Sequence, residues 1–276
     1  MNRLRALFLA PVWVIVGSLL FAPLAIVFLY SLLTRGAYRG LAPPWTFENY
    51  QRLADPLYLG IAAQSFLLAG ISTLLCLLIG YPLALFISRS GPRKNLYLLL
   101  VITPFWISFL VRTYAWMFLL RDTGLINTVL EAAGLIREPL PLLYNPAAVV
   151  LGLVYGYLPF MVLPVYAALE RLDLALLEAA ADLGAAPRAS TLRVLLPLSW
   201  PGIRAGIILV FIPCLGAYLT PDLLGGGKAM MIGNLVQNQF TTARDWPFGA
   251  AVSLALMMPV ALLLVLLLRR KGEELL

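Results

Sequence analysis

The residues with the most telling spacing are Glu178-Ala179-Ala180, then Gly184, then Val194-Leu195-Leu196-Pro197. Their chemistry is recognition rather than bond making. The pattern reads as a short helix, a glycine turn and a second helix, set in the only long polar interval between apolar runs. Asp173 is placed to cap the first helix, with Leu172 before it and Leu177 after it as a hydrophobic staple. Gly184 supplies the left-handed residue that ends the helix, and Pro187 suits the first turn of the next. Leu169, Leu172, Leu176, Ala180 and Leu183 fall on one face at helical spacing. A capped amphipathic helix held out from a loop points to a partner.

Groups for covalent catalysis are missing. The chain of 276 residues has no histidine, which removes histidine-bearing zinc sites and His-based catalysis. Cys76 and Cys214 sit in apolar runs without a CxxC and read as buried small side chains. No pair of inward carboxylates, Ser/Lys dyad or metal cluster suits an intramembrane enzyme. Gly225-Gly226-Gly227-Lys228 lacks the Gly-Lys-Ser/Thr of a phosphate loop and reads as a flexible connector.

The elements that position these residues follow from composition. The chain is 62% hydrophobic and 12% charged, about half the charge fraction of a soluble domain. Apolar runs of ~20 residues recur, enough to cross the hydrocarbon core as helices. The alternation of a β-barrel is absent. The expected fold is therefore an all-α polytopic membrane protein. Six spans are expected at 9–33, 60–88, 96–120, 146–169, 202–222 and 248–268, in a single domain over 1–276. The first follows Arg3 and Arg5 and is too long for a signal-peptide core, so it is expected to remain as a span. Pro82, Pro104, Pro159, Pro164 and Pro213 each remove a helix hydrogen bond. With Tyr155, Gly156 and Tyr157 nearby, Pro159 and Pro164 make the fourth span the expected least regular one.

A cytoplasmic N-terminus puts twelve basic residues inside: Arg3, Arg5, Arg89, Arg93, Lys94, Arg171, Arg188, Arg193, Arg204, Arg269, Arg270 and Lys271. Seven then lie outside: Arg35, Arg39, Arg52, Arg121, Arg137, Lys228 and Arg244. This positive-inside bias places both termini and the segment 170–201 in the cytoplasm. It also accounts for the net charge of +7 without nucleic acid.

The segment 170–201 resembles the EAA loop of permease subunits in binding-protein-dependent ABC importers. The family pattern is Glu-Ala-Ala, three residues, Gly, nine residues, then Ile-x-Leu-Pro. This chain keeps the spacing and has Val194 in place of the isoleucine. More narrowly it is similar to the first permease subunit of the spermidine/putrescine group. Supporting segments are Pro104-Phe105-Trp106 with Arg112-Thr113-Tyr114, Gly152-Leu153-Val154-Tyr155 with Leu158-Pro159-Phe160-Met161, Ile232-Gly233-Asn234-Leu235 and Arg244-Asp245-Trp246-Pro247-Phe248-Gly249. The resemblance implies a type I importer permease fold in a bacterial inner membrane, with no catalytic site and no cofactor of its own. ATP and magnesium would be bound by a partner ATPase, present in two copies. A second permease would complete a heterodimer, and an extracytoplasmic binding protein would dock on the outer loops 34–59 and 223–247.

In that reading Glu178, Ala179, Ala180, Asp182, Gly184 and Pro197 couple to the ATPase. The small alanines allow close approach, and Glu178 and Asp182 present charge at helical spacing. A polyamine is a flexible polycation, which aromatic faces and a few carboxylates bind. Trp106, Tyr155, Tyr157, Tyr218 and Asp222 are the pathway candidates, whereas Arg112 would repel a cation and reads as a structural pair. Three alternatives stand beside this: a permease for another small solute such as a phosphonate, thiamine or iron(III), an ion-coupled secondary transporter, and an intramembrane enzyme.

Overall fold

The computed structural model describes residues 2–36, 41–173 and 175–269. Of the basic residues weighed above, Arg39, Arg270 and Lys271 lie outside the described residues. In a bilayer every backbone N–H and C=O must be satisfied within the chain, which dictates helix wherever the sequence is apolar. In chain order, helix α1 is Asn2–Ser31, followed by two two-residue strands, β1 at Thr34–Arg35 and β2 at Leu41–Ala42, paired antiparallel. Helices α2, Glu48–Arg52, and α3, Pro56–Ser88, come next. Then come α4 at Lys94–Ile102, α5 at Phe109–Leu120, α6 at Leu125–Ala132 and α7 at Pro146–Glu170. The segment 170–201 holds α8, Ala175–Asp182, α9, Pro187–Ser190, and α10, Leu196–Leu198. The chain continues with α11 at Trp200–Leu215, α12 at Leu219–Gly225, α13 at Ile232–Thr241 and α14 at Trp246–Arg269.

Among the described residues, four stretches are long and apolar enough to cross a membrane: Ala10–Ser31, Pro56–Ser88, Pro146–Glu170 and Trp246–Val265. Two further helix pairs qualify if each is taken as one bent span. Gly91–Trp106 meets Phe109–Ala132 at 89°, and Arg188–Leu198 meets Trp200–Leu215 at 67°.

The chain divides into two compact units, Met1–Gly60 with Leu235–Leu276, and Ile61–Asn234. In the first, α1 packs along α14, with Tyr30 stacked on Trp246 at 6.4 Å between ring centroids. The segment after α1 is tied down by polar contacts. Buried Asn49 donates from Nδ2 to the carbonyls of Ser31 and Leu33 at 3.0 and 2.9 Å. Thr46 N donates to Leu32 O at 2.7 Å.

In the second unit, α7 packs against α11, α12 and α5. The α7–α11 contact is close because α11 carries Gly202 and Gly206 on one face. A Cβ at Gly202 would stand 2.5 Å from both Ala168 Cβ and Pro164 O, and one at Gly206 would stand 2.5 Å from Met161 Sδ. Small residues four apart let two membrane helices approach to backbone contact. This bears on the prolines. Helix α7 runs unbroken for 25 residues with Pro159 and Pro164 inside it, although the sequence marked it as the least regular span. Packing on several sides holds it straight enough to stay one helix. The break falls instead after Pro104, where a one-turn 3-10 helix at Thr103–Trp106 gives way to extended backbone at Ile107.

Candidate functional site

Two constellations in the second unit carry the candidate residues. The first is the segment around Glu178. Its entry is capped as the sequence indicates: Asp173 Oδ1 accepts from Ala175 N at 3.0 Å. Its exit is a paired C-cap, with Gly184 N donating to Ala181 O at 2.8 Å and Ala185 N to Ala180 O at 3.0 Å. Gly184 sits at φ 77°, the left-handed geometry that a side chain would resist. Glu178, Ala179, Asp182 and Gly184 are exposed and Ala180 is half-buried. Leu183 is 89% exposed and Leu176 is also exposed, so part of the apolar stripe lies open, with Glu178 and Asp182 on the opposite face of α8.

Pro187 opens α9, and the chain then widens into a π turn at Thr191–Leu195, closed by Leu196 N donating to Thr191 O. Pro197 follows, exposed, and lacks the N–H that would bond the carbonyl of Arg193. Pro201 repeats the omission four residues later, and the 67° bend lies between them. Buried Ser199 stabilises the corner, donating from Oγ to Leu195 O at 2.7 Å, with Tyr81 Oη 3.2 Å from the same oxygen. Behind α8 lies a cavity of about 670 Å³, lined among others by Leu85, Arg89, Leu169, Asp173 and Leu177. Leu172 and Leu177, the expected staple pair, both face this cavity. Lys94 at the start of α4 pairs with Glu170 at the end of α7.

The second constellation is aromatic. Trp106 ends the 3-10 turn at the 89° break and is 77% exposed. Its neighbour Phe105 meets Phe160 edge-on at 5.2 Å, and Phe160 meets Tyr157 at 6.2 Å. Tyr157 Oη donates weakly to Pro213 O at 3.4 Å. Tyr155 meets Trp116 edge-on at 5.5 Å. Arg112, buried on α5, lies over Phe105 at 4.7 Å, Phe109 at 5.6 Å and Tyr155 at 5.9 Å. Tyr155 and Tyr157 therefore belong to one cluster.

Tyr218 and Asp222 share the start of α12, both exposed, with Asp222 N donating to Tyr218 O at 3.0 Å. The same carbonyl accepts from Asn234 Nδ2 at 2.6 Å, and Asn234 Oδ1 accepts from Met231 N at 3.2 Å. Ser65 Oγ accepts from Ile232 N at 2.8 Å, anchoring the start of α13 to α3. The loop that begins at Gly225-Gly226-Gly227-Lys228 and closes with Asp245-Trp246-Pro247, which the sequence suggests is a flexible connector, thus contains a ten-residue helix.

Several residues of this architecture escape sequence reasoning. Phe105, Phe109 and Phe160 form the aromatic cluster, and Asn234 organises the turn beneath Tyr218. The signal available for Phe109 was its i, i+3 spacing to Arg112 on α5, whereas Phe105, across the break, had none. The signal for the corner was the proline pair 197 and 201. Among the described residues no group of His, Cys, Asp and Glu could hold a metal ion.

Comparison with known proteins places this geometry. Residues 76–271 match the family described as binding-protein-dependent transport system inner membrane component. The chain is 44% identical over 258 residues to the spermidine/putrescine transport system permease protein PotB of Haemophilus influenzae, covering 91% of this chain and 90% of that protein. It is 42% identical to the PotB protein of Escherichia coli (strain K12), covering 89% and 90%. A solved bacterial ABC transporter involved in the import of the acidic polysaccharide alginate aligns at a TM-score of 0.71 and 19% identity. That alignment covers 99% of this chain and 96% of the other, and it shows the shared fold. The chain belongs to the binding-protein-dependent transport system inner membrane components, as a multi-pass permease subunit of an ABC importer.

Proposed function

We propose that this permease imports polyamines of the spermidine and putrescine class. The observation that carries the cargo assignment is the 44% identity to the PotB permease across nine-tenths of both chains. The exposed aromatic and acidic groups Trp106, Tyr218 and Asp222 agree with a cationic cargo. Tyr155 and Tyr157 are further candidates, within the aromatic cluster.

In this reading both termini and segment 170–201 face the cytoplasm. Helix α8 docks on a cytoplasmic ATPase, which binds the ATP and magnesium, offering Leu176 and Leu183 on one face and Glu178 and Asp182 on the other. Ala179 and Ala180 permit close approach, Gly184 fixes the exit of the docking helix, and Pro197 sets the corner that joins it to α11. A second permease supplies the other half of the path, and two ATPases closing on ATP move the two docking helices together. A binding protein delivers cargo to the outer loops.

Reconstitution into proteoliposomes with the ATPase, the second permease and the binding protein tests this. The expected result is ATP-dependent uptake of labelled spermidine or putrescine. Uptake that persists without the ATPase, or uptake of an anionic solute in place of polyamines, would overturn it.

A further inference from the structure

Arg112 is the least explained charged group in the fold. It is 8% exposed, on α5, within a helix pair that qualifies as a bent span. A guanidinium stays charged at any physiological pH, and a charge within a membrane span ordinarily finds a counter-charge. Neither the Arg52–Asp245 pair nor the Lys94–Glu170 pair involves Arg112, which meets no carboxylate among the described residues. Its Nε and Nη1 are sealed from solvent without a hydrogen-bond acceptor among the described residues. What holds it is the ring set of Phe105, Phe109 and Tyr155, at 4.7, 5.6 and 5.9 Å.

Three rings converging on one cation are also what an alkylammonium group seeks. A vacant cage of this kind beside a cation path would be a trap. Binding that holds cargo in the ground state tightens association without speeding passage, and a conducting path needs sites weak enough to leave. We propose that Arg112 is a resident cation, filling the cage of Phe105, Phe109 and Tyr155 so that transported ammonium groups cannot lodge there. Its charge also turns cargo toward the open groups Trp106, Tyr218 and Asp222. This rests on the cationic cargo assigned above and makes Arg112 a specificity-determining residue that binds no cargo itself. The reading also redefines Tyr155: its ring serves Arg112, not the polyamine.

The test uses the complete importer in proteoliposomes, with labelled spermidine. Arg112→Gln empties the cage while keeping a polar, uncharged side chain too short to reach its centre. The expected result is a split: KM falls about tenfold and kcat falls about tenfold, with spermidine retained longer by the purified complex. Adding Phe105→Leu to Arg112→Gln removes a wall of the empty cage and should return kcat most of the way to wild type. Arg112→Lys, which restores a cation, should likewise recover release. A merely structural arginine predicts the opposite for the double variant, a further loss. Arg112→Gln with unchanged KM and kcat, failure of that variant to assemble with its partners, or no relief by Phe105→Leu each overturns the proposal. Wild type is run first. No polyamine uptake there sinks the cargo assignment and this proposal together, whereas a transporting wild type with an unaltered Arg112→Gln sinks this proposal alone.

Discussion

Arg52 Nη1 lies 3.0 Å from Asp245 Oδ2, and the pair joins the short helix α2 to the start of α14. The aspartate is buried and the arginine half-open to solvent. Arg52 also lies over the ring of Phe248 at 4.1 Å, and that ring meets Tyr58 at 4.7 Å. Asp245 has a second task, since its Oδ1 accepts from Phe248 N at 3.3 Å and so caps α14. One carboxylate thus starts a spanning helix and fixes the segment that follows the first span.

Replacing Asp245 separates the two tasks. Asp245→Asn keeps an oxygen for the cap and loses the charge, whereas Asp245→Ala loses both. Thermal unfolding of the solubilised protein should show Asp245→Ala less stable than Asp245→Asn by about 1 kcal/mol, the usual worth of an N-cap. Equal melting temperatures would show that the cap adds nothing.

The two glycines of α11 should differ in tolerance. An alanine methyl at Gly202 meets backbone, Pro164 O at 2.5 Å, which can yield only if a helix moves. At Gly206 the nearest atom is Met161 Sδ, the end of a flexible side chain. Gly202→Ala should cost roughly 1–3 kcal/mol or more, and Gly206→Ala clearly less. Yield of folded protein from membranes and the unfolding temperature would both report the order.

Glu178→Lys reverses the charge at one position of α8, the proposed docking helix, and cancels its net charge without touching its caps, which rest on Asp173 and Gly184. The variant should reach the membrane at wild-type level while ATP-driven uptake falls tenfold or more, because a like charge at a docking contact is repelled. Wild-type uptake with full co-purification of the ATPase would show that Glu178 lies off the contact.

Asp222→Asn removes the carboxylate at the start of α12, and Tyr218→Ala the ring beside it. Each should lower kcat/KM for polyamine uptake roughly tenfold, the scale of one ammonium contact. Asn234 supports the turn through the Tyr218 carbonyl and not through the ring, so the Tyr218→Ala backbone should hold. Unchanged uptake in both variants would remove α12 from the path.

What could be read from the sequence was what depends on near neighbours. The caps at Asp173 and Gly184 involve partners two to five residues away, and both form as the spacing indicates. The aromatic cage could not be read this way, because Phe105 and Arg112 lie on opposite sides of an 89° break and Tyr155 comes from α7. Helix α13 was hidden for another reason. Its sequence, with Asn234, Gln237, Asn238 and Gln239, is too polar for a span, and its first turn relies on Ser65 of a distant helix. Proline was an ambiguous signal throughout: in α7 packing overrides it, whereas after Pro104 the helix yields.

The π turn at Thr191–Leu195 gives the root of the docking helix a property that a hinge lacks. Such a turn holds one residue more than an α-helix winding over the same hydrogen-bonded loop. Returning that residue to regular winding turns everything downstream by about 100° and shifts it by about 1.5 Å along the axis. Slack of this kind is counted in whole residues. If α8 docks as proposed, a push on it would arrive at α11 as a discrete screw step rather than as graded bending.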